Sequence, residues 1–394
     1  MRNYERTHPW ITFNLDLRKF NHKIWLLLGE AQSKCEHISG IPLLPSISKL
    51  LHKIYLAKGV LATTAIEGNT LTEIEVQDII DKKLILQQSK RYLQQEVENI
   101  VDACNLIKEK LLDSKEYKFT IDDIKTYNYL VLKNLNLDFI PGEIRNISVG
   151  VGSYRGAPPE DCEYLLNRLC DWLNSEEFYP LESHKIAFGI LKAIVAHLYL
   201  AWIHPFQDGN GRTARLVEFL ILLDSGIPTP SAHLLSDFFN QTRVEYYRQL
   251  KNTTQKKDGD IIPFIEYAVQ GFVDGLKEQI KFIQLQQINI IWRDFIRWSF
   301  EEKKGKAELS KSDQRRLGLM CQLPIQADPI SISKLKELSA KVANLYAGVT
   351  TKTLRRDLNI LSEMDLIIED KIDKTIKPNW EVILSFLPAR RSKS

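Results

Sequence analysis

The sequence predicts a mainly α-helical protein, with one short β-hairpin set into its helical core and a smaller separate unit toward its C-terminal end. Three observations carry this. Apolar residues recur at helical spacing along most of the chain. The period drops to about two only across Ile147, Val149 and Val151, which alternate with small or polar residues between glycines. A charged run, Glu301-Glu302-Lys303-Lys304-Gly305-Lys306, reads as a linker before the last stretch.

With 394 residues the chain is long enough for two or three domains and a substantial core. At 44% hydrophobic and 26% charged residues it has the composition of an ordinary globular protein. Lys and Arg number 53 against 50 Asp and Glu, a balance of +3 that does not by itself announce a nucleic-acid binder. The opening Met1-Arg2-Asn3-Tyr4-Glu5-Arg6 is polar, and no uninterrupted apolar run reaches membrane length, so a cytoplasmic protein without a membrane partner is expected. Five scattered cysteines without C-x-x-C spacing are most simply reduced, buried thiols.

We divide the chain into a helical N-terminal arm (1–94), a core (95–285), a helix and linker (286–310) and a final unit (311–394). In the arm, residues 20–35 are amphipathic, and Leu50, Leu51, Ile54, Leu56 and Val60 predict a helix after Pro45. It runs to Gly68 and Asn69, which are good terminators. Thr72 then caps the next helix, with Glu75 at the capping-box position. Residues 77–112 are helical in pattern, with Val97, Ile100, Val101, Cys104 and Ile107 in one stripe, and 121–135 follow behind Thr120. After the hairpin, Ile186, Ile190, Ala193, Ile194, His197 and Leu198 form a stripe that delivers the chain to His204 at or just past a helix end. Leu216, Phe219, Leu220 and Leu223 repeat the pattern until Gly226 and Pro228 stop it. A turn at Asp258-Gly259-Asp260 precedes a helix over 261–285.

Between the two central stripes lies His204-Pro205-Phe206-Gln207-Asp208-Gly209-Asn210-Gly211-Arg212-Thr213-Ala214-Arg215. Gly209 and Gly211 allow the backbone to turn its N–H groups inward as a nest at a helix N-terminus. Arg212 and Arg215, three apart, project from one face toward the same anion, and two guanidinium forks beside amides suit a polyphosphate. Asp208 would be repelled by phosphates unless a cation such as Mg²⁺ stood between them. His204, with an unperturbed pKa near ~6.5, can take a proton from a hydroxyl. A lone His before Pro or a lone Gly-Asn-Gly is usually only a cap or a turn. A turn, however, needs neither the paired arginines nor the carboxylate.

The string HPFQDGNGRTAR resembles the signature of the Fic (Fic/Doc) family, H-x-F-x-[DE]-G-N-G-R-x-x-R, at every fixed position. The resemblance implies a mainly helical fold and transfer of AMP from Mg-ATP to a hydroxyl of a protein side chain, with pyrophosphate leaving. It implies His204 as the base, Phe206 as an apolar anchor, Asp208 as the Mg²⁺ ligand, Gly209-Asn210-Gly211 as the phosphate cradle, and Arg212 and Arg215 on the outer phosphates. Family members that act as kinases carry Lys where this chain has Gly211, which argues against a reversed ATP. Thr63-x-x-x-Glu67-Gly68-Asn69 resembles the inhibitory motif [ST]-x-x-x-E-[GN] of the class with an N-terminal inhibitory helix. A Glu67–Arg215 pair would displace the phosphates from attack geometry. Gly142 and Arg145 resemble the start of the family's flap, which implies that Arg145, Val149, Gly150, Val151 and Gly152 hold the target in extended form. Tyr246 and Tyr247 resemble tyrosines that line the nucleotide pocket of relatives; as core residues they need no such role.

In the final unit, Ile332, Leu335 and Leu338 predict a short amphipathic helix. A second follows with Leu354, Leu358 and Leu361 inward and Lys352, Arg355 and Arg356 outward. Leu366 to Ile368 and Trp380 to Phe386 bracket a polar loop as a β-wing would. The arrangement resembles a winged helix-turn-helix, which implies DNA, or another protein, as partner. The leading expectation is a self-inhibited protein AMP-transferase, acting on a target protein or on itself, in a homodimer. Two alternatives stay open: a DNA-binding regulator with a nucleotide-sensing core, and a hydrolase that removes AMP.

Overall fold

A computed structural model describes residues 2–113, 117–152, 154–178, 182–254, 259–302, 308–325 and 328–384. The chain divides into two units, Met1–Lys281 and Phe282–Ser394. Asp258, residues 303–306 of the charged run and Phe386, which figured in the turn, linker and wing expectations, lie outside the described residues.

In the first unit, α1 (Asn3–Thr7) opens an arm that is tied to the core, with the Tyr4 amide donating to Asp161 Oδ2 at 2.8 Å and the Phe13 amide accepted by the Tyr199 hydroxyl at 2.9 Å. Helix α2 (His22–Gly40) is capped by Asn21. Helix α3 (Pro45–Ala65) starts on Pro45, where the missing N–H is no loss. It ends in a left-handed Gly68 (φ +102°), whose amide and that of Asn69 return to Ala65 and Thr64 carbonyls. Helix α4 (Glu73–Ile80) begins with the Thr72–Glu75 capping box.

The helical pattern over 77–112 is broken in the structure. The chain leaves the helix at Asp81, Lys82 takes φ +57°, and α5 (Arg91–Leu112) starts afresh. Asp81 binds Lys53 and Lys83, a local ion cluster that apolar periodicity does not register. Helix α6 (Ile121–Leu132) carries a second capping box, Thr120 with Asp123, and stops before Asn134 at φ +61°.

The hairpin is short: β1 (Gly150–Val151) pairs antiparallel with β2 (Tyr154–Arg155). Then come α7 (Pro159–Leu173), α8 (Lys185–Ile203), α9 (Asn210–Asp224), α10 (Leu234–Gln241), α11 (Arg243–Thr253) and α12 (Ile262–Glu302). By length and composition α8 could cross a membrane, yet 83% of its apolar window is buried within the fold, as in a core helix. It packs along α9, and the loop between them carries the His204–Gly209 part of the motif.

The second unit has its own core, centred on Trp292, Phe300, Leu319, Leu335, Tyr346 and Leu358. Its elements after α12 are α13 (Lys311–Met320), β3 (Ile330–Ser331), a 3₁₀ turn at Ile332–Glu337, α14 (Ala340–Leu345), α15 (Thr351–Glu363), β4 (Ile367–Asp370) and β5 (Thr375–Pro378). The strands form an antiparallel sheet in the order β3-β5-β4. The return strand thus lies at Thr375–Pro378 rather than from Trp380, and Trp380–Ile383 is a 3₁₀ turn. Only Ile376 and Pro378 of β5 are buried, and with Lys377 between them the segment reads as polar loop.

Helix α8 passes close to the end of α9 at Gly189, where an added Cβ would fall 1.9 Å from Ser225 Oγ and 2.2 Å from its Cβ. Gly189→Ala should therefore destabilise the protein by about 1–3 kcal/mol, as overpacking does. An unchanged denaturant midpoint would contradict this packing.

Candidate active site

Helix α8 ends at His204, which adopts a left-handed backbone (φ +51°, ψ 58°). For a non-glycine residue that conformation costs on the order of 1 kcal/mol, and neighbouring bonds hold it. Its amide reaches the Leu200 carbonyl at 2.9 Å, and its own carbonyl accepts from Arg145 Nε at 2.7 Å. Arg145 is buried and spends its other donors on carbonyls, with Nη1 to Ile147 at 2.6 Å and Nη2 to Ala157 at 2.5 Å. One guanidinium thereby ties the base of the hairpin to the end of α8. Gly156 faces this junction, where an added Cβ would stand 2.8 Å from His204 Cβ and 2.9 Å from Arg145 Nη2.

The loop after His204 is fixed by two asparagines. Asn210 accepts from the Phe206 amide at 2.9 Å and donates to the Phe206 carbonyl at 2.8 Å, while the Phe206 ring is buried. Asn128 of α6 donates to the Asp208 carbonyl at 2.9 Å and to Thr213 Oγ1 at 3.2 Å, and accepts from the Gly142 amide at 2.9 Å. Gly209 takes φ +75° and starts α9 with no capping side chain, so the first amides of that helix are offered to a ligand.

Both arginines of the motif are buried beside this helix end, their side chains 5% and 1% exposed. Arg212 Nη1 meets Glu96 Oε1 at 2.9 Å and Nη2 meets Asp208 Oδ2 at 3.2 Å. Arg215 Nη2 meets Glu67 Oε1 at 2.6 Å and the Thr63 carbonyl at 3.0 Å. In both guanidiniums Nε has no hydrogen-bond partner among the described residues. The Glu67 carboxylate presses against α9 itself: a Cβ on Gly211 would sit 2.1 Å from its Oε1.

The charges shape one another. Burial works against ionising Glu67, but the adjacent Arg215, then Arg212 and His204, hold the carboxyl below its ordinary range. Burial likewise opposes the Arg215 charge, and the surrounding groups, Glu67 foremost and Glu218 behind it, more than restore it. Burial pushes His204 down to about 4; Arg145 acts in the same direction, while the Ala201 backbone, Glu67 and Asp208 oppose it. The imidazole is neutral at physiological pH and can accept a proton.

The structure brings together His204, Asp208, Gly209, Asn210, Gly211, Arg212, Arg215 and Glu67, with Thr63 contributing its carbonyl. In the hairpin, the Val149 carbonyl accepts the Gly156 amide at 3.1 Å, Gly150 and Val151 pair with Arg155 and Tyr154, and Gly152 turns at φ +57°. Tyr246 is a core residue, its hydroxyl 2.9 Å from His197 Nε2 and its ring stacked on Phe239, whereas Tyr247 is exposed with its hydroxyl 3.3 Å from the Ile66 carbonyl. Lys352, Arg355 and Arg356 lie on α15 in the second unit.

Sequence reasoning missed Glu96 and Asn128. Glu96 joins Arg212 to the Asn69 side chain, whose Nδ2 reaches Glu96 Oε2 at 2.9 Å. A signal existed for both: Glu96 falls between Leu93 and Ile100, and Asn128 between Ile124 and Val131, inside stripes that are mostly apolar. A polar group in such a stripe must find a partner.

Residues 118–222 match the model of the Fic/DOC family. The match runs from just before α6 to near the end of α9 and includes the whole His204–Arg215 string. It is 31% identical over 253 residues to Protein adenylyltransferase fic-1 of Caenorhabditis briggsae, covering 64% of this chain and 45% of that protein. The chain thus spans under half the length of this curated relative. Residues 134–508 of Fic-1 from C. elegans superpose with a TM-score of 0.55 at 27% identity, over 66% of this chain and 73% of that one. A Fic family protein from Desulfovibrio desulfuricans G20 shares the fold over 91% of this chain and 97% of its own, with a TM-score of 0.55 at 21% identity.

The depressed His204 pKa makes a direct prediction. Followed by NMR, its imidazole should titrate near pH 4, well below a free histidine. Because the folded value lies below the unfolded one, this group's contribution to stability is full above ~6.5 and is lost as pH falls toward 4. A midpoint near 6.5 would show an exposed, unperturbed ring.

Proposed function

We propose that the protein is a protein adenylyltransferase that carries AMP from Mg-ATP to a Ser, Thr or Tyr hydroxyl of a target protein, itself included, and that Glu67 restrains it. One observation carries this: an uncapped helix N-terminus lies between two buried guanidiniums and a histidine held neutral. Amides and guanidiniums together recognise a polyphosphate, and a neutral imidazole deprotonates an alcohol.

In the reaction, the target hydroxyl oxygen bonds to the α-phosphorus of ATP, the bond to the β-phosphate oxygen breaks, and the hydroxyl proton passes to His204. Pyrophosphate leaves. Arg212, Arg215 and the α9 amides orient the phosphates. Asp208, half-exposed at the loop, is the carboxylate that would hold Mg²⁺, and the ion would supply neutralisation of phosphate charge. The hairpin beside His204 offers main-chain groups to an extended target segment. Glu67 stands against Gly211 and on Arg215, so an outer phosphate must displace it, and until then ATP lies out of line for attack.

For the second unit we propose a winged helix-turn-helix, with α14 and α15 as the helix pair and β4–β5 as the wing, and a DNA duplex as its partner. What favours DNA is that Lys352 and Arg356 of α15 are exposed on the face opposite Leu354 and Leu358. Arg355 is committed within the unit, its Nη1 2.5 Å from Glu369 Oε1.

With ATP labelled at the α-phosphate, wild type should self-label weakly and His204→Ala not at all. Glu67→Gly should label about 10- to 100-fold more strongly, the range expected for one charge-assisted hydrogen bond. Labelling of Glu67→Gly no greater than wild type would sink the inhibitory reading, and labelling by His204→Ala the catalytic one. For the second unit, a Lys352→Ala plus Arg356→Ala variant should flatten the plot of log DNA affinity against log salt by about 2 units of slope. An unchanged slope, or no DNA binding by wild type, would rule out this face.

A further inference from the structure

The last turn of α3 is gripped by guanidiniums from two sides. Arg215, from within, takes the Thr63 carbonyl along with the Glu67 side chain. From outside, Arg243 of α11 gives Nη1 to the Ala65 carbonyl at 3.1 Å and Nη2 to the Ile66 carbonyl at 2.6 Å. Tyr247, one helical turn further along α11, adds its hydroxyl to the same Ile66 carbonyl at 3.3 Å, and its ring lies 5.9 Å from the Arg243 guanidinium. The residue that follows Ile66 is Glu67.

A cation on the last carbonyls of a helix is favourable because those groups carry the negative end of the helix dipole. Here the contact also sets position. Glu67 Oε1 has to fall within hydrogen-bond range of Arg215 while clearing the α9 backbone at Gly211, and a shift of about 1 Å would break a bond of this kind. Arg215 cannot hold α3 in place once phosphate has drawn it away, but Arg243 can. Arg243 is exposed, and among the described residues no carboxylate pairs with it, so the two carbonyls are its partners.

We propose that Arg243, supported by Tyr247, is a positioning residue for Glu67: by holding the Ala65 and Ile66 carbonyls it fixes the end of α3 so that the carboxylate returns to Arg215. The proposal rests on the reading of Glu67 as the group that withholds Arg215 from ATP.

The test compares the full-length wild type, Arg243→Ala, Arg243→Lys, Glu67→Gly and the Glu67→Gly/Arg243→Ala double variant. It uses α-phosphate-labelled ATP, together with hydrogen exchange at the Glu67, Gly68 and Asn69 amides. Arg243→Ala should raise self-labelling about two- to fivefold, the range for one cation at a helix C-terminus, and should speed exchange at those amides; Arg243→Lys should recover part of both. With Glu67 already removed, adding Arg243→Ala should change labelling by less than about twofold, because coupled residues do not add.

If Glu67→Gly activates but Arg243→Ala leaves labelling at the wild-type level, the proposal is overturned while the adenylyltransferase reading stands. A loss of labelling in the double variant would show direct contact with nucleotide and overturn it too. Should Glu67→Gly fail to activate, the reading of Glu67 falls first, and the exchange data alone then decide whether Arg243 holds the end of α3.

Discussion

Two guanidinium groups buried side by side at the amino end of a helix set the terms for everything around them. The helix end is itself the positive pole of the dipole, so Arg212 and Arg215 are in an unfavourable place unless negative charge is brought to them. Three carboxylates from three parts of the chain do this. Asp208 comes from the loop before α9, Glu96 from α5 and Glu67 from the end of α3. The packing of α3 and α5 against α9 is therefore an electrostatic requirement as much as an apolar one. The helices that supply the counter-charges have to end, or pass, where the arginines are.

The three partners are not equivalent. Glu96 is anchored a second time by Asn69 and sits in the middle of a helix whose stripe is buried, so it can hardly move without disturbing the core. Glu67 lies just beyond a helix end, 31% exposed, next to a glycine in a left-handed turn. A polyphosphate arriving at α9 would compete with the second far more readily than with the first. On the proposed reading Arg212 would keep its resident partner and present its remaining donors, while Arg215 would exchange one. On the proposed reading, this asymmetry lets a single carboxylate restrain the enzyme without removing the phosphate site.

The sequence made the helical core, the short hairpin and the motif legible because each leaves a local mark. Periodicity reports which face is buried, glycines report turns, and a twelve-residue string contained His204, the Gly-Asn-Gly turn and both arginines. Asn128 and Glu96 were overlooked because their importance is non-local. Asn128 bonds the Asp208 carbonyl 80 positions away, and Glu96 pairs with an arginine 116 positions away. The break at 81–90 and the position of β5 escaped for a related reason: ion pairing at Asp81 and the burial of Ile376 and Pro378 alone decide them, and neither alters the apolar pattern enough to be seen. The paired tyrosines were ambiguous because adjacent residues on a helix face different ways. One entered the core, and the other stayed at the surface beside α3.

Tyr246 also bears on how Arg215 tolerates the exchange. Its buried hydroxyl meets His197 Nε2, and His197 Nδ1 lies 3.0 Å from the carboxylate of Glu218, which is fully buried. Glu218 follows Arg215 by three residues on α9, so it lies along the same helix face. It favours the charged form of Arg215 from behind, independently of Glu67. Without that backing, withdrawal of Glu67 would leave a buried cation with no negative charge near it, an arrangement that costs several kcal/mol. With it, the guanidinium remains charged and oriented whether its outward partner is a carboxylate or a phosphate. The polar network in the core is thus what allows the surface-facing contact to be a replaceable one.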